Sequence, residues 1–302
     1  MKIMITVFSL LICLSLTASS STETNDWENM SINSINRLPA RTYSVPLSSE
    51  KDSFTDALEP SSPYLISLNG TWKISWAGNP SLRVKGFEAV GFDDSKWFDL
   101  PVPSCVEIHG FGLPGYVNWR YPHKLDWPRI RDRQSGKDDY NPVTSYRRKF
   151  SLPQTWSGRR VILRFDGVYS AYYVWVNGKA VGYAEDSHLA SEFNITDFVK
   201  KDEENILAVQ VFRWCDGSYL EDQDMFRFSG IYRDVTLWSR PKAGIADFSF
   251  TSKLDSDYKN AEASLKLFVY GDEKPASAAL YDAEGRKVLD FNAAAAKKSG
   301  SE

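Results

Sequence analysis

Short runs of β-branched and aromatic residues constrain this chain more than any other feature of its sequence. Typical examples are TWKISWA (71–77) and NILAVQVFRW (205–214), each bounded by turn residues. In the run SAYYVWVNG, Tyr173 and Trp175 alternate with valines, as expected for a strand with one buried face. No stretch long enough for a helix shows a helical period. The pattern therefore predicts an all-β fold, a sandwich or jelly roll.

Turn residues divide this pattern into units. Asn177-Gly178 lies between two apolar runs, and Asn-Gly is the strongest short hairpin signal. Pro and Gly in SRPKAG (239–244) interrupt the strands, and roughly sixty residues with further strand-like runs follow. An immunoglobulin-like sandwich needs about 100 residues, so we expect an incomplete second domain and a chain that is a fragment. The predicted segments are a signal peptide (1–20), an N-terminal extension (21–62), a jelly-roll domain (63–241) and an incomplete immunoglobulin-like sandwich (242–302).

The first twenty residues, MKIMITVFSLLICLSLTASS, have the pattern of a secretory signal. Lys2 precedes an apolar run over 3–16, and small residues follow where cleavage would occur. The run is short for a membrane span. The sequence therefore predicts a secreted protein that keeps no membrane contact after cleavage.

Composition excludes several classes of partner and site. A net charge of −3 gives no reason to expect nucleic acid or an anionic membrane as a partner. Cys105 and Cys215 are too few for a disulfide framework and are expected to be free thiols. The sequence has no zinc motif and no GxSxG nucleophile motif, so the three histidines are interpreted as structural. Aromatic residues reach 14%, which indicates a flat, uncharged ligand or a large β core.

The stretch WCDGSYLEDQDMFRFSGIYRDV (214–235) is the first candidate site, because five acids alternate there with five aromatic residues. Aromatic rings stack on the apolar faces of sugars, while a carboxylate binds their hydroxyls. Asp216 follows directly on a predicted strand, a natural rim position. A solvated loop balanced by Arg227 and Arg233 explains the same composition equally well, so both interpretations stay open at this point.

Two further candidates carry weaker signals. Asn118 lies in the aromatic loop GLPGYVNWRYPH (112–123), where it is either a sugar ligand or a turn residue. In NDWENMS (25–31), Asp26 and Asn29 offer oxygen ligands for a hard cation such as Mg²⁺. Asp and Asn are also common helix caps, and the residues alone favour that alternative.

Four stretches together resemble the N-terminal region of bacterial β-galactosidases of glycoside hydrolase family 2. They are DWENMSINSINRLPAR, SLNGTWKISWAG, DGVYSAYYVWVNGKAVGYAEDSHLASEFNIT and RWCDGSYLEDQDMFRFSGIYRDV, and their order and spacing match over about 25–250. The resemblance implies a jelly-roll sugar-binding domain, then an immunoglobulin-like domain, then a TIM barrel that carries the catalytic site. It favours the sugar-site interpretation of 214–235 and a periplasmic location.

The resemblance also implies roles for individual residues. Asp216 is expected to bind galactose hydroxyls and a Na⁺ ion, and Asn118 to reach the same sugar. Asp26 and Asn29 are expected to bind Mg²⁺, whereas Glu221, Asp222 and Asp224 are interpreted as scaffold. Retaining glycosidases use two glutamates about 5 Å apart, and the family's pair lies in the barrel. No catalytic residue is therefore assigned in this chain, which alone is expected to be inactive.

The expected partner is a β-galactoside, and a homo-oligomer is left open. The loop between Tyr121 and Tyr146 departs from the family's Pro-rich loop, so the aglycone is not assigned. Two alternatives stay open: a non-catalytic carbohydrate-binding protein, and a β-glucuronidase or β-mannosidase of the same architecture.

Overall fold

The computed structural model describes residues 25–49, 52, 62–118, 120–137, 140–221, 224–271 and 278–291. The predicted signal peptide lies outside these residues. Within the described part, no helix combines the length and apolar character needed to cross a membrane. The described residues form the strands that the sequence predicts, together with short 3-10 helices that it does not.

The strands are β1 (Ser34–Ile35), β2 (Leu65–Ser67), β3 (Gly70–Ala77), β4 (Phe98–Val102), β5 (Gly115–Val117), β6 (Val143–Phe150), β7 (Arg160–Phe165), β8 (Val168–Tyr169), β9 (Ala171–Val176), β10 (Lys179–Ala184), β11 (Ser191–Asn194), β12 (Asn205–Phe212), β13 (Met225–Arg227), β14 (Gly230–Ile231), β15 (Val235–Arg240), β16 (Gly244–Leu254), β17 (Ala261–Tyr270), β18 (Ala278–Tyr281) and β19 (Lys287–Phe291). The 3-10 helices are Asp26–Glu28, Pro80–Leu82, Val106–His109, Gln154–Trp156 and Asp216–Tyr219.

Two antiparallel sheets form the sandwich. The larger has seven strands in the order β1-β10-β9-β12-β6-β3-β4, and the smaller has four in the order β11-β7-β15-β2. Alternating side chains of both sheets meet in one core: Val174 and Val176 of β9 point inward with Val209 of β12 and Leu163 of β7. Such burial of apolar surface, worth about 25 cal/mol per Å², is the main stabilising contribution. The all-β prediction is confirmed.

The predicted Asn-Gly hairpin joins β9 to β10. Asn177 and Gly178 have φ values of 52° and 80°, the left-handed conformations that a tight hairpin turn requires. Lys179 then pairs with Val176. Farther along β10, Gly182 allows a close approach, because a Cβ there would lie 2.3 Å from the carbonyl oxygen of Ile35.

That close approach lets the predicted N-terminal extension join the larger sheet. β1 pairs with β10 through Ser34↔Ala184 and Ile35↔Tyr183. The 3-10 helix just before β1 packs over the end of β12, where the ring of Trp27 stacks on Phe212 at 4.0 Å between centroids. The acidic DWEN segment is thereby fixed against the sheet.

The strand-like runs beyond the Pro/Gly break form two hairpins, β16 with β17 and β18 with β19. Cys105 and Cys215 are free, as predicted, although Cys105 is only half-buried whereas Cys215 is buried.

Candidate functional site

Asp216 begins the 3-10 helix that follows β12. Asn141 shapes this exit from the sheet, since its side-chain amide donates to the carbonyl oxygen of Trp214 at 2.7 Å and accepts from the Trp214 N–H at 2.9 Å. The Cys215 N–H then donates to Ser218 Oγ at 3.0 Å. As a result Asp216 is turned inward: it is only 8% exposed, and its buried Oδ1 has no hydrogen-bond partner.

A second buried carboxylate, Glu185, lies next to Asp216. Glu185 follows β10, is 6% exposed, and accepts a hydrogen bond from the Tyr183 hydroxyl. A carboxylate oxygen of each acid and the Cys215 Sγ all lie within 4.8 Å of one another. Glu185 was not predicted as a site residue, because a single Glu after a strand does not indicate a site until the fold places it beside Asp216.

Burial makes this pair of acids unfavourable as two free anions. Burial, together with the charge of Asp216, raises the pKa of Glu185 to about 8. Burial likewise raises the pKa of Asp216. Two like charges taken out of water need a proton or a cation between them.

The DWEN segment lies near this pair, since Trp27 packs in one cluster with Cys215. Tyr173 donates its hydroxyl hydrogen to Asp26 Oδ2 at 2.7 Å, and the Ile130 N–H donates to Glu28 Oε1 at 2.8 Å. The charge of Glu28 is near enough to contribute to the raised pKa of Asp216. Asn29 Oδ1 accepts from the Ser31 N–H at 3.2 Å, a local turn contact. Asp26 starts a 3-10 helix and Asn29 ends it, in agreement with the helix or turn start considered from sequence, and Asp26 also makes a tertiary contact.

Asn118 directly follows β5, on the two-stranded ribbon of β5 and β13. Val117 pairs with Met225, so Asn118 and Asp224 flank the same end of the ribbon. The Tyr116 hydroxyl donates to Asp224 Oδ1, which raises the pKa of Tyr116, and Asn118 contacts the same hydroxyl. The fold therefore brings together a carboxylate, an amide and a phenol.

Aromatic rings surround this group. The Tyr116 and Phe226 centroids are 5.5 Å apart, and Phe226 stacks on Phe228 at 5.7 Å. Tyr116 and Phe226 are 52% and 59% exposed. Exposed rings beside paired hydrogen-bonding groups are the chemistry that a sugar requires.

The neighbouring acids that the sequence analysis interprets as scaffold differ in their contacts. Glu221 accepts hydrogen bonds from the N–H and hydroxyl of Ser187, as a scaffold residue would. Asp224 instead bonds Tyr116 on the surface. Asp222 lies outside the described residues.

Residues 65–241 match the family described as "Glycosyl hydrolases family 2, sugar binding domain". This chain belongs to that family. It is 38% identical to a β-galactosidase of Priestia megaterium over 273 residues, 87% of this chain and 26% of the relative. It is 40% identical to a β-galactosidase of Vibrio vulnificus strain YJ016 over 241 residues, 80% of this chain and 22% of the relative. The chain thus spans about a quarter of these relatives' length.

Solved structures of glycosidases share the fold of this family 2 chain. A β-glucuronidase from an uncultured Clostridium species matches with a TM-score of 0.57 and 24% identity, over 79% of this chain and 40% of that one. A β-glycosidase from Bacteroides vulgatus matches with a TM-score of 0.55 and 25% identity, over 75% and 27%.

The family resemblance implies Mg²⁺ and Na⁺, and the buried acids fit a hard cation. Both ions prefer oxygen ligands, and Glu185 and Asp216 offer carboxylate oxygens at one point. The unpartnered Oδ1 of Asp216 is the observation that carries the fit. Cys215 Sγ is a soft ligand, and burial raises the pKa of that thiol, which keeps it protonated and out of the ligand set.

His123 is buried, and only its Nδ1 has a hydrogen-bond partner, the carbonyl oxygen of Lys124 at 3.4 Å. Its ring is fully buried against Tyr121, Trp214 and Tyr219, and its Nε2 has no hydrogen-bond partner. Burial lowers the pKa of His123 to about 4. In the folded protein the imidazole of His123 is therefore neutral at pH 7.

We expect this histidine to make the fold acid-sensitive. The unfolded chain takes up a proton near pH 6.5 whereas the folded chain takes it up near pH 4. From pH 7 to pH 5 this histidine should therefore subtract about 2 kcal/mol from the free energy of unfolding, whereas the raised pKa of Glu185 acts in the opposite direction over the same range. Urea unfolding at both pH values measures this. On going from pH 7 to pH 5, His123→Gln should gain about 2 kcal/mol of stability relative to wild type. His188→Gln, at an exposed position, should change with pH as wild type does. The same pH-dependent change in wild type and His123→Gln would contradict this expectation.

Proposed function

We propose that this chain is the N-terminal, sugar-binding part of a β-galactosidase that releases terminal non-reducing β-D-galactose by a retaining mechanism. The observation that carries the proposal is the 38–40% identity to β-galactosidases over 80–87% of the chain. The two catalytic glutamates are assigned to the remainder of the full-length protein. The proposed role of this chain is to bind and orient the sugar.

We assign the sugar-binding role to the ribbon of β5 and β13. Asn118 can donate and accept toward a hydroxyl, Asp224 can accept two, and Tyr116 holds Asp224 in place. The sequence-based assignment of Asp216 as a sugar and Na⁺ ligand stays a prediction. The burial of its carboxylate supports a different role.

We assign the cation to Glu185 and Asp216, with the adjacent DWEN turn completing the oxygen ligands. Two buried negative charges favour a divalent ion, so Mg²⁺ is proposed there. The ion would neutralise the two acids and fix the turn against the sheet. Asp26 and Asn29, predicted from sequence as Mg²⁺ ligands, stay predictions.

Substrate choice tests the proposed reaction. The full-length protein should hydrolyse an aryl β-galactoside with a higher kcat/KM than the matching β-glucuronide or β-mannoside. The β-glucuronidase alternative is retained because structural neighbours of the same fold carry that name. Preference for the glucuronide would replace the proposal with that alternative, and hydrolysis of none of the three would favour the carbohydrate-binding protein.

We also propose export, on the pattern of 1–20 alone. Expressed with its own leader in a bacterium, the protein should appear in the periplasm with its first residue near 19–22. Mass spectrometry of the periplasmic protein decides this, since an intact Met1 would refute cleavage.

A further inference from the structure

A second feature with sugar-binding chemistry lies on the outer face of the seven-stranded sheet. It is an open cleft of about 600 Å³, within the size range of ligand sites. Its floor is formed by Tyr173 and Trp175 of β9 and by Gln210 of β12. Asp26 and Arg83 stand at its walls. The ribbon that carries Asn118 does not line it.

The aromatic floor is a fixed platform. The rings of Tyr173 and Trp175 lie side by side, with centroids 5.8 Å apart and an interplanar angle of 38°. Phe87 holds Trp175 edge-on at 5.5 Å, and Tyr183 packs on Tyr173 at 4.7 Å. Both floor rings are partly exposed toward the cleft. Rings held this way lose little freedom when a flat apolar surface binds.

The polar groups of the cleft are also fixed. Gln210 is 5% exposed, and its Nε2 donates to Ser145 Oγ at 3.1 Å. Asp26 is oriented by the Tyr173 hydroxyl at 2.7 Å. Arg83 lies with its Cζ 5.7 Å from the Trp27 centroid. One anion faces one cation across the rings, so the site favours a neutral ligand rich in hydroxyls.

We propose that this cleft binds a pyranose unit of a neutral oligosaccharide, as a second sugar-binding site separate from the Asn118–Asp224 ribbon. The apolar face of the ring stacks on Trp175 and Tyr173, and its hydroxyls meet Gln210 and Arg83. Such a site would hold a polymeric galactoside on the protein independently of the reaction. The choice of a galactan as probe rests on the proposed function; the binding site itself does not.

The test is saturation-transfer NMR and tryptophan fluorescence titration of this chain with β-1,4-galactotetraose. Trp175→Ala is expected to weaken binding at least about tenfold. The control is Phe98→Ala, which removes an aromatic ring that is 61% exposed elsewhere on the sandwich. That control should bind as wild type.

Two results would overturn the proposal: no binding by the wild type, or unchanged binding by Trp175→Ala. If Trp175→Ala melts below the assay temperature, Arg83→Ala at the cleft wall decides in its place, and it must weaken binding. Binding to this chain tests the cleft, whereas hydrolysis by the full-length protein tests the proposed function. A negative result in one measurement therefore does not decide the other.

Discussion

Replacement of Asp224 by Asn is expected to lower kcat/KM of the full-length protein for an aryl β-galactoside at least about tenfold. Asn keeps the size of the side chain but removes the charge that strengthens its hydrogen bonds to sugar hydroxyls. Such charge-assisted bonds contribute roughly 1.5–3 kcal/mol each. If these contacts tighten as the ring flattens toward the transition state, kcat falls as well as KM rising.

Two variants distinguish the loss of the Asp224 charge from a disturbance of the local structure. Tyr116→Phe removes the hydroxyl that bonds Asp224 but leaves the carboxylate, so it should cost less than Asp224→Asn. Asp282→Asn, at a hairpin acid bonded to Arg286, should leave the kinetics unchanged. Wild-type kinetics in Asp224→Asn would remove Asp224 from the sugar site.

The second large effect is expected at Glu185. In wild type stripped of metal with EDTA, Mg²⁺ at about a hundred times its Kd should add about 2.7 kcal/mol of stability. For a domain of this size that corresponds to a rise in Tm of about 5 °C or more. Glu185→Gln should abolish most of this rise, because it removes one charged ligand. Without metal the same variant should melt higher than wild type, since it relieves the burial of two acids side by side.

Calorimetry with and without Mg²⁺ measures both changes. Glu192→Gln is the matched control, because Glu192 is also buried but its charge is paired with Arg164 at 2.8 Å. That variant should lower Tm equally with and without the ion. A full Mg²⁺-dependent rise in Glu185→Gln would place the cation elsewhere.

The regular part of the fold follows from local sequence. Alternation in SAYYVWV identifies the inward valines of β9, and Asn177-Gly178 identifies the turn to β10, because both signals act over a few residues. The strand Ser34–Ile35 was not predicted, since its two residues carry no pattern. It forms because Gly182 lets the chain approach the edge of the sheet.

The candidate site was predicted less completely, for a physical reason. Residue types indicated sugar chemistry in 214–235 and an acidic turn at 25–31, but not which side chains meet. Asn118 meets Asp224 through the pairing of β5 with β13, and Glu185 meets Asp216 through loops at the ends of β10 and β12. These contacts join residues far apart in sequence, which composition and spacing do not encode.

A crystal structure of the full-length protein with a bound galactoside analogue, grown with Mn²⁺ in place of Mg²⁺, tests both site assignments most directly. We expect sugar hydroxyls within hydrogen-bond distance of Asp224 and Asn118. We also expect anomalous density for Mn²⁺ between the carboxylates of Glu185 and Asp216. A sugar hydroxyl on Asp216, with no metal beside Glu185, would contradict both expectations and restore the assignment made from the sequence.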